Sequence, residues 1–245
     1  DNMLKELTDK NLTYLHMWGA YLQETSDEDK IRDYIEKAQQ DAGFLNFYFL
    51  STDGNYKMLT GETGYLDLQE NLEDEIPKGK DIITNAVVPG KSQMLVFASP
   101  SVHGNYQGFG YDAIAIAYEN SDIVNVLDIS AFHGDAKSYV VHPDGRVVVD
   151  HSFKEWGNAY NFFGVLREHS NMPEKEILEL SGKFKAGHSD AMLVNLDGKN
   201  YYLVYEKSEI QDWVFLGLVK AEIVNASMNV LQRSTMMLVG IVALS

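Results

Sequence analysis

Histidines are the residues of this sequence best suited to bind a metal or to transfer protons near neutral pH. The seven histidines are His16, His103, His133, His142, His151, His169 and His188. None of them forms a His-x-x-x-His pair or a His-Glu helix motif of the kind that holds zinc. His142 and His151 flank one predicted hairpin, but a metal site there would need a carboxylate such as Asp150 and further ligands. The spacing therefore predicts ordinary surface and turn histidines, and no metal site.

Three Asp-Gly pairs contain the residue types that begin calcium-binding loops. They are Asp53-Gly54, Asp144-Gly145 and Asp197-Gly198. The alternating oxygen ligands of a calcium loop do not follow them. Asp-Gly between two β-rich runs is typical of a hairpin turn, because glycine adopts positive φ without a Cβ clash. We therefore interpret all three pairs as turns.

The residues of familiar catalytic motifs are missing. The sequence contains no cysteine, which excludes thiolate catalysis, cysteine-based zinc sites and disulfides together. Neither a glycine-rich phosphate loop nor Gly-x-Ser-x-Gly occurs. Carboxylates are spread along the whole chain, so pairs of them do not single out a site. We predict no catalytic residues and no cofactor.

Composition limits the function classes further. The formal net charge of −16 argues against a nucleic-acid surface, because binding phosphates needs clustered Lys and Arg. It also disfavours a surface lying flat on anionic lipid. With 45% hydrophobic and 23% charged residues the chain is globular, and 245 residues allow one large domain or two modules of ordinary size.

A strand–turn–strand unit occurs twice and predicts a duplicated module. The first copy covers residues 47–59 and the second covers residues 139–149. Each copy opens a similar series of elements. Each series closes on an apolar strand followed by an acidic residue and Ile-Val-Asn, at 122–125 and again at 222–225. Repeats of this kind change the domain count and are the main clue to the organisation.

A long helix is predicted ahead of the first strand, over residues 1–23. Its apolar stripe consists of Leu4, Leu7, Leu15, Trp18 and Leu22. Such a rod packs along both modules or forms a dimer seam, and Asn11 on the same stripe fits a register-setting position of a seam. Ser26 is predicted to cap a second helix that ends at Gly43.

The remaining elements follow from periodicity and turn residues. In the first module we predict a short helical run around Leu66, Leu68 and Leu72, and a loop at 103–108. The strands predicted there cover 81–88, 92–101 and 111–118. A connecting helix over 121–130 leads to the second module, which has helical segments between 153 and 180. Its last three strands are predicted over 189–195, 199–207 and 213–219, before a helix that begins at Glu222.

This series resembles the double Cache sensor domain, a tandem of PAS-like modules. The residues that carry the likeness lie at 48–54, 139–145, 97–100, 201–205 and 213–216. The resemblance covers the whole chain, and its motifs are patterns of residue type. It implies an α+β fold of two tandem PAS-like (Cache) modules with antiparallel sheets. These pack along a long N-terminal helix, and a C-terminal helix leads to the membrane.

The resemblance also implies a location and a role. Such domains lie outside a bacterial cell, between two transmembrane helices, and signal to a cytoplasmic diguanylate cyclase, histidine kinase or chemoreceptor rod. The small-molecule ligand usually occupies the membrane-distal module. The uncharged run at 236–245 is read in two ways, as a buried terminal helix or as the start of a transmembrane segment. We favour the transmembrane segment.

One departure from the family concerns the ligand. Members that bind amino acids carry an Arg-x-Trp signature near a Tyr. This chain has no Arg between Arg32 and Arg146, and no Trp between Trp18 and Trp156. The first module therefore lacks the guanidinium fork that would clamp an α-carboxylate, and we expect no amino acid bound in that manner.

Aromatic residues with polar tips mark the predicted ligand site on the first sheet. The predicted ligand-binding residues are Tyr48, Tyr56, Tyr65, Phe97, Ser99, Tyr111 and Asp112. The alternative is that these aromatic rings belong to the core, with tyrosine hydroxyls reaching solvent. A similar but weaker set in the second module consists of Tyr139, Tyr201, Tyr205 and Lys207.

Four segments follow from these observations. Residues 1–43 form N-terminal helices, 44–130 the membrane-distal module, 131–221 the membrane-proximal module, and 222–245 a C-terminal helix with the start of a transmembrane segment. We expect an extracytoplasmic small-molecule sensor of a bacterial membrane receptor, which could dimerise through the N-terminal helix. The alternatives are an extracellular protein-binding or adhesion module and, less favoured, an unrecognised hydrolase.

Overall fold

The computed structural model describes residues 2–68, 72–87, 94–120, 122–123, 136–150, 161–209 and 212–226. The chain divides into two compact units, Asp1–Leu127 and Asp128–Ser245. In the described residues each unit contains one antiparallel sheet. The predicted α+β class is confirmed.

Two helices open the first unit. Helix α1 spans Asn2–Glu24 and helix α2 spans Glu28–Ala42. The predicted cap of α2 at Ser26 is wrong by one residue. Asp27 is the cap, because its carboxylate accepts a hydrogen bond from the backbone N–H three residues later, at 3.2 Å. Gly43 ends α2 as predicted, with a φ of 76°.

A seven-stranded sheet follows, in the order β3-β2-β1-β7-β6-β5-β4. Its strands are β1 (Asn46–Leu50), β2 (Asn55–Met58), β3 (Thr63–Tyr65), β4 (Asp67–Leu68), β5 (Ile82–Val87), β6 (Met94–Tyr106) and β7 (Phe109–Glu119). Between β4 and β5 the chain forms a short helix, α3 (Leu72–Glu75), and a 3₁₀ turn, Ile76–Lys78.

Two segments contain more strand than the sequence predicts. The helical run expected around Leu66 and Leu68 begins only at Leu72, because β3 pairs with β2 and β4 pairs with β5. The loop expected at 103–108 is strand as far as Tyr106. A register shift between Pro100 and Gly104 lets β6 continue beside β7.

Side chains alternate between the two faces of this sheet. The helix face carries Phe47, Phe49, Phe97, Ile114 and Tyr118. The alanine face carries Tyr48, Leu50, Ala98, Ala113, Ala115 and Ala117. Helix α1 packs on the helix face, where the ring of Trp18 lies 5.9 Å from that of Phe47.

Asn11 joins α1 to the sheet by a buried polar contact. Its side-chain oxygen accepts a hydrogen bond of 2.8 Å from the hydroxyl of Tyr118 on β7. Asn11 is fully buried, and burial raises the pKa of Tyr118 to about 12. Asn11 is thus bonded within its own unit. Dimerisation through α1 stays a prediction.

The second unit has a five-stranded sheet in the order β10-β11-β12-β8-β9. Its strands are β8 (Ala136–Val141), β9 (Val147–Asp150), β10 (Asp190–Leu196), β11 (Lys199–Lys207) and β12 (Val214–Lys220). Two helices, α4 (Phe162–His169) and α5 (Glu174–Lys185), pack on one face of this sheet.

The strand orders support the duplication. Five neighbouring strands of the first sheet lie in the order β2-β1-β7-β6-β5. The five strands of the second sheet lie in the order β9-β8-β12-β11-β10, which is the same topology. The two hairpin turns also match in their hydrogen bonds. Gly54 and Gly145 both have a φ of 86°, and the backbone oxygen of each accepts a hydrogen bond from the segment that follows its hairpin, at Leu66 and at Phe162.

Several predicted elements lie outside the described residues. They are most of the connecting helix at 121–130, the segment 151–160 and everything after residue 226, including the apolar run at 236–245. In the part of the chain that the structure describes, no helix is both long and apolar enough to cross a membrane. The boundaries of the four predicted segments stay predictions.

The turn of the second hairpin should tolerate no side chain at Gly145. A Cβ there would combine a positive φ with a 2.5 Å approach to the Phe163 ring, whereas a Cβ at Gly198 has the strained φ alone. We expect Gly198→Ala to lower the free energy of unfolding by about 1 kcal/mol and Gly145→Ala by at least about 2 kcal/mol. Urea denaturation would measure both; equal losses would contradict the steric argument.

Removing the Tyr118 hydroxyl should weaken the contact between α1 and the sheet. Tyr118→Phe leaves the buried Asn11 oxygen without this donor, so we expect a loss of about 1–3 kcal/mol in the free energy of unfolding. Tyr65→Phe is the control, since Tyr65 is 57% exposed and should change stability little. Denaturation of Asn11→Ala and of the double variant would test whether the two losses are coupled.

The second unit should lose stability in mild acid because of His142. This residue is 8% exposed, with its ring edge-on to Trp213, and burial, aided by Arg146, lowers its pKa from 6.5 to about 4. Between these two values the unfolded chain binds a proton that the folded chain does not, so stability falls as pH drops from 6.5 toward 4. By pH 5 the loss is about 2 kcal/mol.

Chemical denaturation at pH 7 and pH 5 would check this dependence. We expect the loss between the two pH values to shrink in His142→Gln and to remain in His188→Gln, which changes an exposed histidine. An equal pH dependence in the two variants would exclude His142 as its source.

Candidate ligand-binding site

The alanine face of the first unit has small side chains on β7, the central strand of the sheet. Ala113, Ala115 and Ala117 occupy alternate positions of β7, and all are fully buried. Ala98 lies beside Ala115 on β6, and Tyr48 lies on its other side on β1. Because alanine side chains are short, the free volume above this part of the sheet depends on the side chains of the segments that cover it.

Polar groups stand around these alanines. The rings of Tyr48 and Tyr56 meet edge to face, with centroids 4.8 Å apart. Asn46 donates a hydrogen bond of 3.0 Å to the hydroxyl of Tyr48. Burial raises the pKa of Tyr48 to about 12, with the Asn46 bond opposing it, and burial also raises the pKa of Tyr56. Both hydroxyls are therefore neutral at physiological pH and can donate or accept.

A cavity of about 240 Å³ lies on this side of the first unit, beside the first hairpin turn. Leu66, Leu68 and Leu72 line it and also pack against the alanine face. Its remaining lining residues are Thr52, Asp53, Gly54, Tyr65 and Glu73. Hydrogen bonds from Ser51 and Asn55 lower the pKa of Asp53, so the rim is anionic at neutral pH.

The predicted site residues divide between two places. Tyr48 and Tyr56 lie together on the alanine face, and Tyr65 lines the cavity. Phe97 lies on the helix face, where its ring contacts Tyr118 at 5.9 Å, and Ser99 follows two residues later on the same strand.

The last two predicted residues lie toward the far end of β7. Tyr111 packs against Phe49 of the helix face, with ring centroids 5.0 Å apart. Asp112 accepts a hydrogen bond of 2.8 Å from His103 if that nitrogen carries the proton. The structure therefore does not bring Tyr111 and Asp112 to Tyr48 and Tyr56.

Asn46 and the three alanines of β7 were missed by reasoning from sequence. The signal was present as the alternation Ala-Ile-Ala-Ile-Ala at 113–117. Alternation shows that two faces differ, but not which one another element covers.

Two lysines that follow α3 share one carboxylate. Lys78 and Lys80 both bind the carboxylate of Glu75, at 2.8 and 3.0 Å. Among the residues that the structure describes, no group of three or more His, Asp or Glu side chains could hold a metal ion. The described polar groups of the alanine face thus offer neutral hydrogen-bonding partners and no guanidinium.

The second unit fills the equivalent space with larger side chains. Tyr139 on β8 lies opposite Leu216 on β12, just as Tyr48 on β1 lies opposite Ala115 on β7. The positions that hold Ala113, Ala115 and Ala117 in the first unit hold Val214, Leu216 and Leu218 in the second.

Helix α5 closes the same side of the second sheet. The ring of Phe184 packs against Tyr205 at 4.9 Å and against Phe163 at 5.2 Å. Tyr139, Tyr201 and Tyr205 all belong to this core. These tyrosines therefore have core positions, and Lys207 is exposed.

No protein-family model and no curated protein matches the sequence. Solved structures do match. The ligand-binding domain of the Pseudomonas aeruginosa PAO1 amino acid chemoreceptor PctB, in complex with L-Arg, is 16% identical, with a TM-score of 0.62 over 91% of this chain and 90% of that chain.

Two further structures match to a similar extent. The extracellular domain of mmHK1S-Z3, described as a histidine kinase, is 15% identical, with a TM-score of 0.59 over 90% of each chain. The ligand-binding domain of Mlp24, with asparagine, is 14% identical, with a TM-score of 0.58 over 93% of this chain and 90% of that chain. The chain therefore has the fold of double Cache extracellular sensor domains, as the resemblance predicted.

Proposed function

We propose that this chain senses a small molecule outside a bacterial cell and that the ligand binds over the alanine face of the first unit. The observation that carries this proposal is the contrast between the two units. Equivalent positions hold three alanines in one sheet and Val214, Leu216 and Leu218 in the other. A packed core favours large side chains, so small ones at three successive inward positions indicate space kept for something else.

The ligand would be held mainly by neutral groups. Tyr48, Tyr56 and Asn46 supply hydroxyl and amide groups, and Tyr65 stands at the adjoining cavity. PctB and Mlp24 have structures with L-Arg and asparagine, so amino acids are natural test ligands. Without an arginine on this side of the unit, a carboxylate would lack a bidentate partner. We therefore favour an uncharged polar molecule.

Four predicted site residues stay open to test. Phe97 and Ser99 belong to β6 and lie on the helix face. Tyr111 and Asp112 lie toward the hairpin end of β7. A ligand bound over the alanine face does not touch the helix face. Variants of these four residues would distinguish a ligand bound over the alanine face from a ligand bound at the helix face.

Signalling would follow from a population shift. A ligand that stabilises one arrangement of the sheet and its covering segments favours that arrangement in the receptor. We propose attachment to the membrane through flanking helices, a diguanylate cyclase or histidine kinase as the output, and no catalysis by this chain. The fold of the matched sensor domains supports the extracytoplasmic sensing role.

Filling the alanine face should abolish sensing. A ligand found by thermal-shift screening, which should include L-Arg, L-Asn and uncharged metabolites, is expected to raise Tm by about 3–6 °C at ten times its Kd. Ala115→Leu copies the residue of the second unit and should remove this shift by occupying the space. Tyr48→Phe should weaken binding because one hydrogen bond is lost, by about tenfold.

Controls distinguish binding from misfolding. Tm without ligand would show whether Ala115→Leu overpacks the unit, and Ala115→Ser gives a variant with little added volume. Tyr111→Phe changes a hydroxyl away from the alanine face and should leave the shift intact. Loss of the shift in Tyr111→Phe together with its retention in Ala115→Leu would contradict the proposed site.

A further inference from the structure

A second cavity in the first unit lies at the helix face, on the side of the sheet opposite the alanines. It has a volume of about 290 Å³, close to the lower end of small-molecule sites. The turn between α1 and α2 borders it on one side, and the hairpin end of β6 and β7 borders it on the other. Its apolar walls are Leu22, Ile31, Phe49, Tyr106 and Tyr111.

The aromatic walls are held in place by contacts with one another and with nearby backbone. Tyr106 stacks on Phe49 with centroids 4.1 Å apart and an interplanar angle of 16°. The hydroxyl of Tyr106 donates to the backbone oxygen of Leu59 at 3.2 Å. Tyr111 lies so close to the backbone of Gly104 that a Cβ there would be 2.3 Å from its ring. The walls are therefore preformed, which lowers the entropic cost of binding.

The rim carries a carboxylate at the end of a helix. Glu24 is the one formally charged residue among those lining the cavity. Glu24 is also the last residue of α1, and the last turn of α1 has no basic residue to balance the negative end of the helix dipole. The positive end of α2 is already balanced by the carboxylate of Asp27.

Arg32 is a cation that contacts one wall residue of the cavity. Arg32 interacts with Tyr106, which raises the pKa of the guanidinium, but Arg32 does not line the cavity. Its side chain also pairs with Asp29 at 3.4 Å. The charged group at the rim thus remains the Glu24 carboxylate.

We propose that this cavity binds a small organic cation. Its apolar body would lie against the rings of Phe49, Tyr106 and Tyr111, and its ammonium group would lie at Glu24 and the last carbonyls of α1. Aromatic faces and a carboxylate are the groups that recognise ammonium ions. Phe49 directly follows Tyr48 in β1, so this site and the proposed sensing site lie on opposite sides of one strand. The proposal does not depend on the sensing site having a ligand.

Isothermal titration of the full chain at pH 7 with three probes of similar shape tests the proposal. The probes are 2-phenylethylammonium, 2-phenylethanol and 3-phenylpropanoate. We expect the affinity to fall in that order. Glu24→Gln should weaken binding of the ammonium probe about threefold and leave the alcohol unchanged. Glu6→Gln, an exposed change in the same helix, should alter neither.

Two further variants locate the bound probe. Gln23→Trp places a bulky ring at the rim and should reduce binding of the ammonium probe, whereas Met17→Trp, an equally bulky change at an exposed position of the same helix, should not. Absence of binding, tighter binding of the carboxylate, or equal loss in Glu24→Gln and Glu6→Gln would overturn the proposal. Equal loss in Gln23→Trp and Met17→Trp would place the probe away from the cavity and would also overturn it.

Discussion

The alternation of small and large side chains along β7 is the constraint on which the first unit depends. Alanines at 113, 115 and 117 point to one face, while Ile114 and Ile116 point to the other. Pairing with β1 and β6 extends the pattern across the sheet, because residues directly opposite each other share a face. A slip of one residue would exchange the faces and place the isoleucines over the alanine side. Register therefore determines which side chains meet α1 and which lie on the alanine face.

Helix α1 covers the helix face through both apolar and polar contacts. Trp18 meets aromatic rings at Phe44 and Phe47, which supplies apolar burial. The bond between Asn11 and Tyr118 adds a directional contact inside that apolar surface. Apolar packing alone tolerates small rotations of a helix, whereas a buried amide that loses its partner is costly. The bond thus restricts how α1 can lie on its sheet.

The two units share the geometry of their hairpin turns but differ in the inward side chains of their last strand. The two hairpins share the φ of their glycines and the hydrogen bonds around them, because the chain reverses in the same way in both units. The inward residues of the last strand differ, alanine in the first unit and valine or leucine in the second. Turn geometry is required by the fold in both copies. The size of the inward side chains can differ between the copies without changing the turns.

Much of the fold could be predicted from sequence, because its signals are local. Asp-Gly between β-rich runs indicates a hairpin, and three- and four-residue spacing indicates α1 and α2. The short strands β3 and β4 could not be predicted, since two or three residues carry no period. Their pairing depends on the edges of a sheet that must already exist. The continuation of β6 to Tyr106 depends likewise on a bulge beside β7.

The candidate site, like the fold, could be predicted only in part from the sequence. The sequence by itself determined the duplicated series of elements. It also predicted the first sheet as the place for a ligand, with tyrosines as its polar groups, and that stays a prediction. Only the tertiary structure decided that Tyr48 and Tyr56 share a face while Phe97 lies on the other and Tyr111 packs against Phe49. Alternation gives each strand two faces, but it does not say which of the two α1 covers. That choice depends on contacts between residues more than a hundred positions apart, such as Asn11 and Tyr118.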